Sequence, residues 1–149
     1  MSKIDEANKI IRSVSDNTNR VLLFFSAGKD SIALLDLMYP HFDEIVCVFM
    51  YFVDGLEHIE NYLDWAKKRY PKIKIVKVPH WNLTYILKSG MFCVPNPNVK
   101  LMKLADIDHS VKLRTGIQHS FFGMKKADSL NRRLMLNGYG NVMAICVVR

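Results

Sequence analysis

The feature that most restricts the fold is an apolar run of strand length followed by a turn and a helical segment, repeated along the chain. Val21-Leu22-Leu23-Phe24-Phe25 is apolar at every position, which suits a strand covered on both faces. A short polar loop follows it, and residues 32–38 read as a helix that Pro40 ends. Residues 44–50, rich in Val, Ile and Phe, repeat the strand, and Asp54-Gly55 signals a turn. Residues 56–70 are helical, with Leu56, Ile59, Leu63 and Ala66 on one face and Lys67, Lys68 and Arg69 near the C-terminal end. Pro71 stops that helix. Residues 72–78 read as alternating Lys with Ile or Val, which predicts a third strand, exposed on one face and near an edge.

The flanks extend the pattern. Ile4, Ala7, Ile10, Ile11 and Val14 have helical spacing. Beyond the third strand come a short helix at 81–87, a Pro- and Asn-bearing loop at 90–99 and a weakly patterned helix at 101–113. A strand and turn at 119–123, a helix at 128–136 and an apolar strand at 141–148 follow. The alternation predicts an α/β fold: a parallel, doubly wound, Rossmann-like sheet of about five strands with helices on both faces. We read residues 1–149 as one domain. The abrupt stop after the last apolar run raises the expectation of a truncated C-terminus.

Composition narrows the class. Half of the residues are hydrophobic and 23% are charged, as in a chain with a real core. No apolar run is long enough to span a bilayer, and the N-terminus lacks the apolar core of a signal peptide, so a cytoplasmic protein without a membrane partner is expected. Cys47, Cys93 and Cys146 are far apart and form no Cys-x-x-Cys pair. Cys47 and Cys146 read as small core residues and Cys93, beside Pro95 and Pro97, as exposed. The net charge of +7 suits a polyanionic ligand, a nucleotide or nucleic acid, although part of it is a solvated surface such as Lys67-Lys68-Arg69.

The loop after the first strand carries the chemistry. Ser26-Ala27-Gly28-Lys29-Asp30-Ser31 falls at the carboxyl end of a parallel strand and opens a helix. Helix N-termini offer unpaired N–H groups and a favourable dipole to an anion. Gly28 is expected to allow close approach and unusual dihedrals. Ser26 and Ser31 supply hydroxyls, and Lys29 a phosphate-binding charge. Asp30 can hold Mg²⁺ or cap the helix. Lys29 and Asp30 are the candidate catalytic pair. The spacing is neither G-x-x-x-x-G-K-[ST] nor G-x-G-x-x-G.

The hexapeptide resembles the S-G-G-K-D-S signature of the ATP pyrophosphatase (PP-loop, adenine nucleotide alpha hydrolase-like) family, with Ala27 in place of a glycine. A second segment, Gly123-Met124-Lys125-Lys126-Ala127-Asp128-Ser129-Leu130-Asn131-Arg132-Arg133, is similar to the G-x-R-x-x-E-S-x-x-R stretch of the phosphoadenylyl-sulfate (PAPS) reductase branch. By that resemblance Lys125, Arg132 and Arg133 hold a distal phosphate or sulfate; the plain alternative is a basic helix face. A third segment, residues 52–57, resembles the D-T-G-x-x-F-P-E-T stretch, with Asp54 and Gly55 retained and Glu60 in place of the family's glutamate. It implies an adenine contact, against the alternative of a simple turn.

The resemblance implies an enzyme that binds ATP or PAPS, with Mg²⁺, and acts on the phosphate or sulfate end. The branch's E-C-G-x-H segment and paired cluster cysteines are missing, so reduction is doubtful and no iron–sulfur cluster is expected. The alternative is a nucleotide-binding module of a nucleic-acid modification or defence system. A homodimer is compatible with either, and the second substrate is open. Asp106, Asp108 and His109 form the densest remaining cluster and read as a solvated helix face rather than a metal site. Lys100, Lys103, Lys112 and Arg114 flank it as a basic stretch, either a binding surface or a solvated one.

Overall fold

A computed structural model of the chain describes residues 2–123 and the backbone of residues 143–145. The helix expected at 128–136 lies outside the described residues, as do most of the last strand and Cys146. The elements run α1 (Lys3–Ser15), β1 (Arg20–Phe24), α2 (Lys29–Met38), β2 (Glu44–Tyr51), α3 (Glu57–Arg69), β3 (Ile73–Pro79), α4 (Asn82–Ser89), α5 (Leu104–Thr115), β4 (Ser120–Phe122) and β5 (Met143–Ile145). The five strands form one sheet in the order β3-β2-β1-β4-β5, and every neighbouring pair is parallel.

Both faces are covered. Ala7 and Ile11 of α1, Leu34, Leu35 and Met38 of α2, and Leu63 and Ala66 of α3 pack with Val21, Leu23, Ile45 and Cys47 on one side. Leu104, Ile107 and Val111 of α5 pack with Leu22, Phe24, Val46 and Val48 on the other. Successive residues of β1 from Val21 on therefore feed opposite cores, which is why the strand is apolar from there onward. The chain moves outward from β1 to β2 and β3, then returns to place β4 on the other side of β1. That reversal is the topological switch point of the sheet, where open α/β sheets bind ligands.

Two expectations need correction. β3 is an edge strand as expected, but it is not exposed on one face: Ile73 and Ile75 join the first core while Val76 and Val78 join the second. The Ile75-Val76 step breaks the alternation, and helices on both faces make use of both residues. In the cluster at 106–109, Asp106 and His109 are exposed as expected, but Asp108 is not part of a solvated face. The Asp108 carboxylate is buried, accepts from the buried Ser120 hydroxyl, and forms an ion pair with Lys112 Nζ at 2.9 Å, both side chains under 10% exposed. Lys112 accordingly leaves the proposed basic surface. Asp106 accepts from the backbone N–H of Lys103 at 2.7 Å at the start of α5. Leu104, Ile107, Asp108, Val111 and Lys112 are the buried residues of α5, at helical spacing. Two charges within that stripe are what blurred its apolar pattern.

Candidate functional site

A cavity of about 410 Å³ opens at the carboxyl ends of the strands. Ser26, Gly28, Lys29, Asp30 and Ser31 form its polar wall. Phe24, Val48, Met50, Leu104 and Phe122 form an apolar floor, and Phe25, His80 and Gly123 also line it. The volume lies within the range of small-molecule sites, about 300–1,000 Å³. Phe24 and Phe122 are register partners on β1 and β4, and their rings stack 4.4 Å apart at 17°. A Cβ added to Gly123 would stand 3.7 Å from the carbonyl of Asp30, so the end of β4 packs on the first turn of α2. One wall suits an anion and the floor suits a flat apolar group, which is the division a nucleotide needs.

What the loop can offer an anion rests on its backbone. The N-cap of α2 is Gly28, which has no side chain to satisfy the first turn, and no side-chain cap is made. The positive end of the helix therefore lies at the cavity wall, where it favours an anion. Ser31 Oγ donates to the Gly28 carbonyl at 2.9 Å, the Gly28 N–H donates to Ser26 Oγ at 3.3 Å, and the two hydroxyls meet at 3.3 Å. These contacts brace the loop and give both serines a part in its shape.

The unusual dihedral falls one residue earlier than expected. Gly28 has φ −83° and ψ 165°, open to any residue, whereas Ala27 has φ 58°, in the left-handed region. Gly28 is small for a different reason: a Cβ there would lie 3.2 Å from Ser26 Oγ. Alanine in the left-handed region costs about 1–2 kcal/mol. Reverting to glycine returns about 0.4–1 kcal/mol of that through the more flexible unfolded chain. Ala27→Gly is therefore expected to stabilise the protein by up to about 1 kcal/mol in denaturant unfolding, with the loop's shape kept.

The structure does not bring Asp54 and Gly55 to the cavity. Gly55 takes φ 77° in the turn before α3. Asp54 accepts from Lys77 Nζ at 2.9 Å, and Glu60 accepts from the same ammonium at 2.7 Å. The Glu60 and Asp54 carboxylates hold the Lys77 pKa well above its ordinary value. This exposed cluster ties β3 to α3 and its turn. Lys125, Arg132 and Arg133 lie outside the described residues.

His80 belongs to the site although its sequence context did not mark it. It follows β3, and its N–H donates to the Tyr51 carbonyl at 2.8 Å, which carries the ring to the cavity. Only the strand order places the end of β3 beside the end of β2. The single available signal was its position directly after an apolar strand. Burial holds its pKa below the ordinary value near 6.5. A histidine kept neutral in the folded state takes its proton first when unfolded, so the unfolded state binds more protons as pH falls through 6.5. Stability is expected to fall with acidification below about pH 7 and to lose part of that slope in His80→Gln, as read from urea midpoints across the pH range.

Among the described residues, no group of three or more His, Cys, Asp or Glu side chains could hold a metal ion by itself. A single carboxylate on the cavity wall, Asp30, is the usual protein share of a Mg²⁺ site completed by ligand phosphates and water. Cys47 is buried, which pushes its thiol up to about 12 and makes it inert; Cys93 is exposed. No helix among the described residues is long and apolar enough to cross a membrane.

No family model matches the chain, and no curated protein does. Among solved structures it is similar to one described as the U34-tRNA thiolase NcsA from Methanococcus maripaludis with its 4Fe–4S cluster. The identity is 18% and the TM-score 0.49, over 94% of this chain and 51% of that one, so the chain spans about half the length of the structure it matches. That finding overturns the expectation of no iron–sulfur cluster. The expectation rested on the spacing of three cysteines, and spacing within this length of chain says nothing about ligands supplied from elsewhere.

Proposed function

We propose that the chain is the nucleotide-binding part of an enzyme that holds an adenine nucleotide, ATP or PAPS, and acts at its phosphate or sulfate end. The observation that carries this reading is the uncapped first turn of α2, with Lys29 beside it, opening into a cavity with an apolar aromatic floor. The phosphates lie on the backbone of residues 26–31 and on the Lys29 ammonium. Asp30 would hold Mg²⁺, which would supply positive charge to the phosphate end of the ligand. The base lies on the floor beside Phe24, Phe122 and Met50. Lys125, Arg132 and Arg133 are proposed for the distal group, on the strength of the motif resemblance.

For ATP the reaction is attack by an oxygen of the second substrate on the α-phosphorus. The bond from that phosphorus to the bridging oxygen breaks, pyrophosphate leaves, and the adenylyl group is transferred. Positive charge at the helix end and on Lys29 stabilises the charge that builds on the phosphoryl oxygens and the leaving group.

Calorimetric titration of ATP, PAPS and adenylyl sulfate, each with and without Mg²⁺, tests this. Binding of ATP strengthened by Mg²⁺ supports the pyrophosphatase chemistry. Binding of PAPS alone moves the reading to the sulfonucleotide branch. If no adenine nucleotide binds, the reading fails.

A further inference from the structure

Resting on the nucleotide reading above, we infer that His80 is a positioning and specificity residue: a neutral imidazole locked in one tautomer, whose Nε2–H donates to an uncharged acceptor on the nucleoside of the bound ligand. Three observations converge on it. His80 lines the cavity. Its Nδ1 accepts the backbone N–H of Asn82 at 3.0 Å, so in the neutral ring the proton sits on Nε2. Its ring is stacked on Phe52, with centroids 4.5 Å apart and planes at 19°, and leans on Trp81 at 5.2 Å. With Nδ1 engaged and both neighbours packed against the ring, Nε2–H is the one polar group that the side chain can offer a ligand.

Position separates this donor from the phosphates. His80 follows β3, and the phosphate loop follows β1; β2 lies between them. Adjacent strands stand about 4.8 Å apart, so the two features are about 10 Å apart across the sheet edge. A ligand whose phosphates rest on α2 presents its sugar or base at that distance. Among the described residues, Lys29 and Asp30 are the charged groups lining the same cavity, and both are on the α2 side. Burial, which holds the ring neutral, matches an uncharged acceptor better than a phosphate. A base nitrogen and a ribose oxygen are both acceptors of this kind, and the ligand analogues below tell them apart.

The test compares adenosine and ATP binding to the wild type, His80→Leu and His80→Gln by calorimetry. Glutamine can place an amide N–H near Nε2, whereas leucine fills space without a donor. The expected result is a loss of about 3–10-fold for both ligands in His80→Leu, the worth of one neutral hydrogen bond, and recovery to within about twofold in His80→Gln. Deaza-adenosines and deoxyadenosines identify the acceptor: the analogue that lacks it binds the wild type less tightly by the same factor and loses nothing further in His80→Leu. Nitrogen-15 spectra of the wild type need no variant to fold; they are expected to show the Nε2–H tautomer, with the Nε2 resonance moving on nucleotide addition. Unchanged binding by His80→Leu, or the Nδ1–H tautomer, overturns the assignment. If the wild type binds neither adenosine nor ATP, the nucleotide reading falls and this assignment with it.

Discussion

Asp108→Ala is expected to destabilise the protein by about 3–5 kcal/mol, the usual effect of removing one partner from a buried ion pair. The carboxylate lies between Lys112 one helical turn on and Ser120 on β4. Its loss leaves an ammonium in a region about 9% exposed and a fully buried hydroxyl without its acceptor. Equilibrium urea unfolding measures the change. The second half of the prediction is the sharper one. Replacing the three polar groups together, as Asp108→Leu, Lys112→Met and Ser120→Ala, is expected to return stability to within about 1–2 kcal/mol of the wild type or above it, because the two charges and the hydroxyl that face one another are removed together. A triple variant as weak as Asp108→Ala would show that the network contributes stability in its own right. The network joins α5, which brings Leu104 to the cavity, to β4, which brings Phe122 and Gly123.

Lys29→Ala carries the second large effect, this time on binding. Lys29 stands on the cavity wall at the first residue of α2, where the helix dipole already favours an anion. A charge-assisted contact to phosphate contributes about 1.5–3 kcal/mol, so affinity for ATP is expected to fall by about 10–150-fold. Adenosine, which lacks phosphate, is expected to bind the variant as it binds the wild type. The fold should be unaffected, since Lys29 is not among the buried residues of α2. Calorimetry with both ligands reads the two outcomes in one experiment. Equal loss for adenosine and ATP would place the lysine at the nucleoside and overturn the phosphate assignment for this loop.

Much of the fold was legible in the chain because local patterns and tertiary roles coincide. Val21 to Phe25 is apolar at every step because β1 lies in the middle of a sheet covered on both faces. Pro40 and Pro71 follow the ends of α2 and α3. The turn between β1 and α2 was legible because its residues are contiguous: strand, small residues, lysine and helix start lie within a few residues of one another. Lys77 shows where such reading stops. It sits in an alternating strand like any solvent-facing lysine, yet it is the shared partner of Asp54 and Glu60.

The sequence by itself determined the alternation of strands and helices, and from it a parallel sheet with a small-residue, lysine-bearing turn after its first strand. Hydrophobic periodicity is a local signal, and each of those elements carries its own. The tertiary structure alone decided what meets across long separations. It brought Phe24 to Phe122, Asp108 to Ser120, and the ring of His80 to the cavity that Lys29 lines. It also placed the left-handed turn at Ala27 instead of Gly28 and turned both loop serines to bracing work. Strand order and the packing of both faces set these contacts, and no spacing along the chain encodes them one residue at a time.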